Sequence, residues 1–278
     1  MAIAIVTDGA ADLPAELVAK HRIGVVPLEV RLAGHDALRD DALSPEAFWR
    51  LSASSGALAE TAAPSPGAFR DAFVAAAEAG YDGVVCVTLS SRLSATYEAA
   101  VAGAREARAT LAVEVVDSRS VTMGEGLLVL EAAERAEAGE PLGAVAHAVR
   151  AALEDVAVVG TLDTLENLRR GGRIGTAQAL VGSLLSIKPV IEVRDGVVEA
   201  ESRQRTRARS LRYLADKVAG LGPLKRLAVV HAAADDLDAM LALLEPLHPS
   251  TETIVSWIGP VVGAHTGPGT IGVCAQRA

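Results

Sequence analysis

Aromatic residues are scarce in this chain: three Phe, three Tyr and two Trp among 278 residues. That scarcity argues against a nucleic-acid reader that stacks bases on aromatic rings. The formal net charge of −9 argues the same way, because a phosphate backbone needs a basic face. Cysteine is nearly absent. Cys86 and Cys274 each sit in an apolar run without metal-ligand spacing, and both read as small core residues. No apolar run reaches the roughly 18–20 residues of a membrane span. The opening Met1-Ala2-Ile3-Ala4-Ile5-Val6 has no basic region and reads as a first strand rather than a signal peptide. A soluble, cytoplasmic protein is the expectation. Gly124-Glu125-Gly126 is too short for a dinucleotide fingerprint, and a Walker-type lysine is missing. There is no Gly-x-Ser-x-Gly elbow. Nucleotide binding and covalent serine chemistry therefore lack their usual signatures.

What the chain does have is aliphatic surface. Hydrophobic residues make up 50%, much of it alanine and valine, which suits alanine-lined helices packed on valine-rich strands. The length exceeds one small core, so one large or two medium domains are expected. Short β-type runs alternate with longer helical stretches, starting with Ala2–Thr7, Val25–Arg31, Val84–Leu89 and Val113–Asp117. Several are apolar on both faces, as in a parallel sheet covered by helices. Ser44-Pro45-Glu46 and Ser65-Pro66-Gly67 each place a serine cap before proline at a helix start. After the second, Phe69 and Phe73 fall one turn apart. The fold class is α/β. Beyond a seam near residues 150–165, Lys188 to Val198 reads as a hairpin with an Asp195-Gly196 turn, which makes the second sheet mixed. The expected division is an N-terminal α/β domain at 1–155 with a mostly parallel sheet, and a C-terminal α/β domain at 156–278. The cleft between them is the natural place for a ligand.

Three segments look chemically loaded. The first is Leu89-Ser90-Ser91-Arg92-Leu93-Ser94-Ala95-Thr96-Tyr97, where a strand ends, serines turn the chain and a helix begins. Unpaired N–H groups at a helix start, with hydroxyls beside them, make a cradle for an anion. The second is Thr61 to Gly67, in which Ser65 is explained as a cap and Thr61 is left free. The third is Gly259 to Gly269, read as a glycine- and proline-rich loop that carries His265 and Thr266. Of the six histidines, His265 is the functional candidate. His21, His35, His147 and His248 read as surface residues, and His231 ends a strand. Asp8 and Asp117 follow strands, where they either hold a magnesium ion or pin turns. Asp12, before Leu13-Pro14, reads as a helix cap. Arg169-Arg170-Gly171-Gly172-Arg173 and the run Arg203, Arg205, Arg207, Arg209, Arg212 form two basic clusters. Each is either a solvated face or a docking surface for a phosphorylated group, an acidic partner or an anionic membrane.

These segments together resemble the DegV family of fatty-acid-binding proteins. The likeness runs in order along the whole chain. It includes Thr7-Asp8-Gly9-Ala10-Ala11-Asp12-Leu13, Thr61 to Gly67, Leu89 to Tyr97, Val116-Asp117-Ser118, Leu168 to Ile174, Ile187-Lys188-Pro189, Arg205-Thr206-Arg207 and Gly263 to Gly269. The resemblance implies a two-domain α/β protein that holds one long-chain fatty acid between its domains, without a cofactor. It implies that Thr61, Ser94 and His265 bind the carboxylate, with Ala95 and Thr266 beside them. It further implies that the acid is presented to a separate kinase related to dihydroxyacetone kinase. That kinase would form an acyl phosphate from ATP for phospholipid synthesis, with Arg173 and Arg205 serving docking or phosphoryl handling. Gly9, Ala62, Ala95 and Gly175 depart from the family's usual residues. The rival readings are a serine-dependent acyl hydrolase or transferase using Ser94 and His265, and a lipid-sensing regulatory module.

Overall fold

The computed structural model describes residues 2–32, 38–55, 59–180, 187–247 and 252–278. His35 and His248 lie outside the described residues. In the first half the strands are β1 (Ile3–Asp8), β2 (Gly24–Val26), β3 (Glu29–Arg31), β4 (Leu38–Arg39), β5 (Glu60–Ala62), β6 (Gly83–Thr88) and β7 (Ala112–Asp117). The helices there are α1 (Ala15–Lys20), α2 (Pro45–Ser55), α3 (Pro66–Glu78), α4 (Thr96–Ala107), α5 (Met123–Glu137) and α6 (Leu142–Ala151). The second half adds β8 (Val156–Thr161), β9 (Lys188–Arg194), β10 (Val197–Gln204), β11 (Leu224–His231), β12 (Thr253–Trp257) and β13 (Ile271–Arg277). Its helices are α7 (Glu166–Arg170), α8 (Arg207–Ala219), α9 (Leu237–Leu244) and α10 (Pro260–Thr266).

The parallel sheet has the order β2-β1-β6-β7. Its two central strands are buried at every residue. Alternation along a strand sends side chains to opposite faces. Ile3 and Ile5 of β1, with Val85 and Val87 of β6, pack against α5 and α6. Ala4 and Val6, with Val84 and Cys86, pack against Phe69 and Phe73 of α3 and the alanines of α4. Both faces are covered, which is why these strands read as unbroken apolar runs. The mixed sheet has the order β10-β9-β8-β13-β11-β12, with only β11 and β12 parallel. One face is closed by α8 and α9. The hairpin forms as expected: Asp195 and Gly196 both take positive φ, 48° and 80°, as a two-residue turn requires.

Helix α5 joins the two sheets. Residues 123 to 133 are all buried, so the helix is packed all round. Leu128, Val129, Ala132 and Ala133 join the cluster under the parallel sheet, while Met123 and Leu127 join the cluster that includes Val230 and Cys274 of the mixed sheet and Glu131 bonds to Arg226 of β11. Its two glycines permit this. A Cβ at Gly124 would stand 2.2 Å from Val158 Cγ2, and one at Gly126 would stand 2.8 Å from the carbonyl oxygen of Ala11.

One expected strand is two. The run from Val25 to Arg31 splits at Pro27 into β2, in the parallel sheet, and β3, in a small antiparallel sheet ordered β4-β3-β5. Proline has no N–H to give the ladder, so pairing stops there and the chain changes sheet. That small sheet carries Thr61.

Candidate functional site

The three serines of the turn after β6 divide the work. Ser90 is fully buried and its hydroxyl donates to the carbonyl oxygen of Gly196 at 2.7 Å, latching the turn to the β9–β10 hairpin. Ser91 donates to Asp117 Oδ2 at 2.5 Å, and Asp117 Oδ1 accepts from the N–H groups of Ser91 and Arg119. Ser94 is the serine that lines a cavity. Its Oγ lies 2.9 Å from Thr96 Oγ1. Ala95 stands at the N-cap of α4 with no side-chain cap, so the helix opens beside the cavity with free N–H groups in its first turn.

His265 is helical, not in a loop. Gly259 takes the N-cap, Pro260 opens α10, and Gly267 closes it at φ 79°. The glycines and prolines mark the ends of a short helix rather than a turn. This helix and β5 meet: His265 Nε2 lies 3.0 Å from Thr61 Oγ1. Thr266 Oγ1 donates to the carbonyl oxygen of Val262 at 3.3 Å. Thr61, Ser94, Ala95, His265, Thr266 and Arg173 therefore all line one cavity of about 180 Å³. Its remaining walls are aliphatic, with Leu28, Leu89, Leu93, Val121, Leu168 and Val198 drawn from separate segments. Polar and aliphatic side chains share this hollow, and Thr61 meets His265 in its wall, the composition of a site for an amphiphile.

Burial, reinforced by the positive charge of Arg173, pushes the His265 pKa down to about 4. The ring is thus neutral near pH 7, one nitrogen a donor and the other an acceptor. Arg173 is held by two backbone carbonyls, through Nε to Leu93 at 3.1 Å and Nη1 to Gly171 at 2.6 Å. It supplies the cationic character that the imidazole lacks. Arg205 is exposed beyond β10 and does not line the cavity. Within the second basic run, Arg207 is not a solvated residue: it pairs with Asp236 at 2.7 Å and donates to the carbonyl oxygen of Gly269.

A nucleophile relay is not assembled here. Ser94 bonds to Thr96 and His265 to Thr61. His265 Nδ1 is buried and has no hydrogen-bond partner among the described residues, whereas a serine triad needs an orienting carboxylate at that atom.

The acidic residues have structural roles. Asp8 accepts from the N–H groups of Ala10 and Leu89, at 3.0 and 2.9 Å, and pins the loop. Asp12 does not cap α1, where Pro14 takes the N-cap. Its carboxylate accepts from Thr122 Oγ1 at 2.6 Å and from the N–H of Gly259 at 2.9 Å. It ties the starts of α5 and α10 together, and with α10 the placement of His265. Sequence reasoning missed this because Thr122 and Gly259 are remote in the chain. Among the described residues no cluster of three or more His, Cys, Asp or Glu is arranged to hold a metal ion. One histidine departs from expectation: His21 has a side chain only 7% exposed beside Glu137. His231 ends β11 as expected and is buried against Trp257.

The sequence pattern of the DegV family, described as uncharacterised proteins, matches residues 2–278. The DegV domain-containing protein SCO2569 of Streptomyces coelicolor is 40% identical over 280 residues, covering 98% of this chain and 97% of that protein. Among solved structures, a DegV family protein from Thermus thermophilus, described for its fatty acid binding, superposes with a TM-score of 0.89 at 35% identity over the full length of both chains. DegV of Bacillus subtilis, described as a fatty acid binding protein, gives a TM-score of 0.89 at 29% identity, again over both full chains.

Proposed function

The chain belongs to the DegV family, and from that premise we propose that it binds one long-chain fatty acid in the cavity between its two sheets. The observation that carries this reading is the meeting of Thr61 and His265 at 3.0 Å, in the same hollow as Ser94. The head group would take hydrogen bonds from the hydroxyls of Thr61 and Ser94 and from the neutral imidazole of His265. Thr266 and the methyl of Ala95 border it, and the guanidinium of Arg173 balances its charge. The tail would lie among the leucines and valines. At about 0.8 kcal/mol per buried CH₂, ~14 methylenes supply roughly 10 kcal/mol before the costs of association. Pockets for ligands commonly hold about 300–1,000 Å³, so admitting a full tail requires the aliphatic walls of the 180 Å³ cavity to part.

In this reading the chain is a carrier without catalysis of its own. It presents the carboxylate to a separate ATP-dependent kinase, related to dihydroxyacetone kinase, which makes the acyl phosphate for phospholipid synthesis. Arg173 and Arg205 serve docking, the setting is cytoplasmic, and contact with an anionic membrane is brief. In this reading the two α/β domains divide between residues 155 and 156, a division supported by the start of β8 at Val156. No helix among the described residues is long and apolar enough to cross a membrane, in keeping with a carrier. Ser94 and His265 bond to Thr96 and Thr61 rather than to each other, and His265 Nδ1 has no carboxylate partner among the described residues, which disfavours the hydrolase.

Native mass spectrometry of gently purified protein tests the reading. A fatty acid near one per chain is expected. No bound lipid, together with no uptake of added palmitate or oleate, refutes it. With the kinase supplied, Ser94→Ala and His265→Ala are expected to slow acyl phosphate formation. Unchanged rates for both would overturn the assignment of the head-group site.

A further inference from the structure

Two adjacent glycines follow helix α7, and each is glycine for a different reason. Gly172 has φ +70° and nothing within 4 Å of where a Cβ would stand. Its backbone is in the left-handed region that only glycine enters freely. Gly171 sits at φ −72°, ψ −8°, which any residue adopts. What it lacks is room. A Cβ there would lie 2.3 Å from Nδ1 and 3.0 Å from Cε1 of His265. The bare α-carbon is packed against the edge of the imidazole.

That contact decides what the ring can do. Nδ1 is buried with no partner among the described residues, while Nε2 meets Thr61 Oγ1. A buried N–H without an acceptor is rarer and costlier than an acceptor left unused. The proton therefore belongs on Nε2. Asn167 Nδ2 donates to the carbonyl oxygen of Ala264 at 3.3 Å, binding α7 to the helix that carries His265. The carbonyl of Gly171 also receives Arg173, the charged group that acts on His265. We propose that Gly171 is a positioning residue for His265: its missing side chain lets the end of α7 close over Nδ1 and leaves Nε2–H as the donor facing the cavity.

The consequence for binding rests on His265 being a head-group ligand, as in the function proposed above. The test compares Gly171→Ala with Gly172→Ala, which disturbs the same turn without touching His265. In ¹⁵N-histidine-labelled protein, wild type is expected to show His265 as the neutral Nε2–H tautomer across the range where free histidine titrates. Gly171→Ala should swing the ring out and return its titration towards the ordinary value, while Gly172→Ala leaves the signal in place. Oleate affinity of delipidated protein should fall roughly ten- to hundredfold in Gly171→Ala, the weight of one hydrogen bond to a charged group. In a His265→Ala background, where the collision is relieved, Gly171→Ala should change oleate affinity little. An unchanged His265 signal in Gly171→Ala, or an equal loss of affinity with and without His265, overturns the proposal. If wild type takes up no oleate, the fatty-acid reading fails, and the histidine signals still decide the role of Gly171.

Discussion

Raising the pH from about 5.5 to about 7.5 is expected to weaken the folded state, the reverse of an acid-denaturation trend. The cause is a buried group of carboxyls at the end of β1. Burial raises Asp8, Asp12 and Asp40 to about 7 each. Burial and the nearby Asp8 raise Glu125 well above its ordinary value, and its Oε2 has no partner among the described residues. In the unfolded chain these groups ionise near pH ~4. A raised carboxyl holds its proton in the fold and loses it when unfolded, so its stabilisation is complete below pH ~4 and fades as pH rises through about 7. Two histidines act the other way. Burial lowers His265 to about 4 and also lowers His231, and each then favours folding as pH rises towards ~6.5. Four carboxyls outweigh two imidazoles, so folding takes up protons across this range. Even one net proton amounts to about 1.4 kcal/mol per pH unit, or about 3 kcal/mol between the two conditions. Urea melts at successive pH values measure it. Asp40→Asn keeps an oxygen for the Leu28 N–H, which Asp40 Oδ1 accepts at 3.1 Å, and should flatten the slope by about one proton. Stability that climbs steadily from pH ~5.5 to ~7.5 would refute the reasoning.

Three further outcomes follow from close packing. Gly9→Ser should destabilise by about 1–3 kcal/mol, because its Cβ would fall 1.7 Å from Asp40 Oδ2; in an Asp40→Ala background the cost should largely vanish in thermal melts. Gly103→Ala gains about 1 kcal/mol of helix propensity but drives a Cβ to 2.6 Å from the Pro66 carbonyl and 2.8 Å from Phe69 Cβ, so net destabilisation is expected by denaturant titration and a neutral result would contradict the α3–α4 packing. Ser90→Ala leaves the buried Gly196 carbonyl without its 2.7 Å donor and should cost about 1–3 kcal/mol, with faster amide exchange confined first to the β9–β10 hairpin.

Much of the fold was legible because it is local. Strand alternation, serine-proline caps and the Asp195-Gly196 turn each act within a few residues, and the main strands, the capped helices and the β9–β10 hairpin follow from them. The errors came where one residue type serves two purposes. Pro27 looked like part of an extended run, yet it moves the chain between sheets. Gly259, Pro260 and Gly267 looked like loop formers, yet they bound a helix. Asp12 looked like a cap by its place before Leu13-Pro14, yet its partners are Thr122 and Gly259.

The segments of the candidate site were legible from their residues, but their grouping into one site came only through correspondence with a family. Thr61 and His265 stand 204 residues apart, and no periodicity relates them. What brings them together is the packing of α5 between both sheets and the carboxylate of Asp12 at the start of α10. Neither α5 nor Asp12 is among the residues that line the cavity. The serine turn shows the same separation of tasks. Ser90 and Ser91 spend their hydroxyls on Gly196 and Asp117, which fixes the turn and leaves Ser94 free to face the cavity. A run of serines at a helix start is therefore a weak signal for which oxygen meets a ligand. The stronger signal is which hydroxyl the fold does not need, and for this chain that is Ser94, paired among the described residues only with the neighbouring hydroxyl of Thr96.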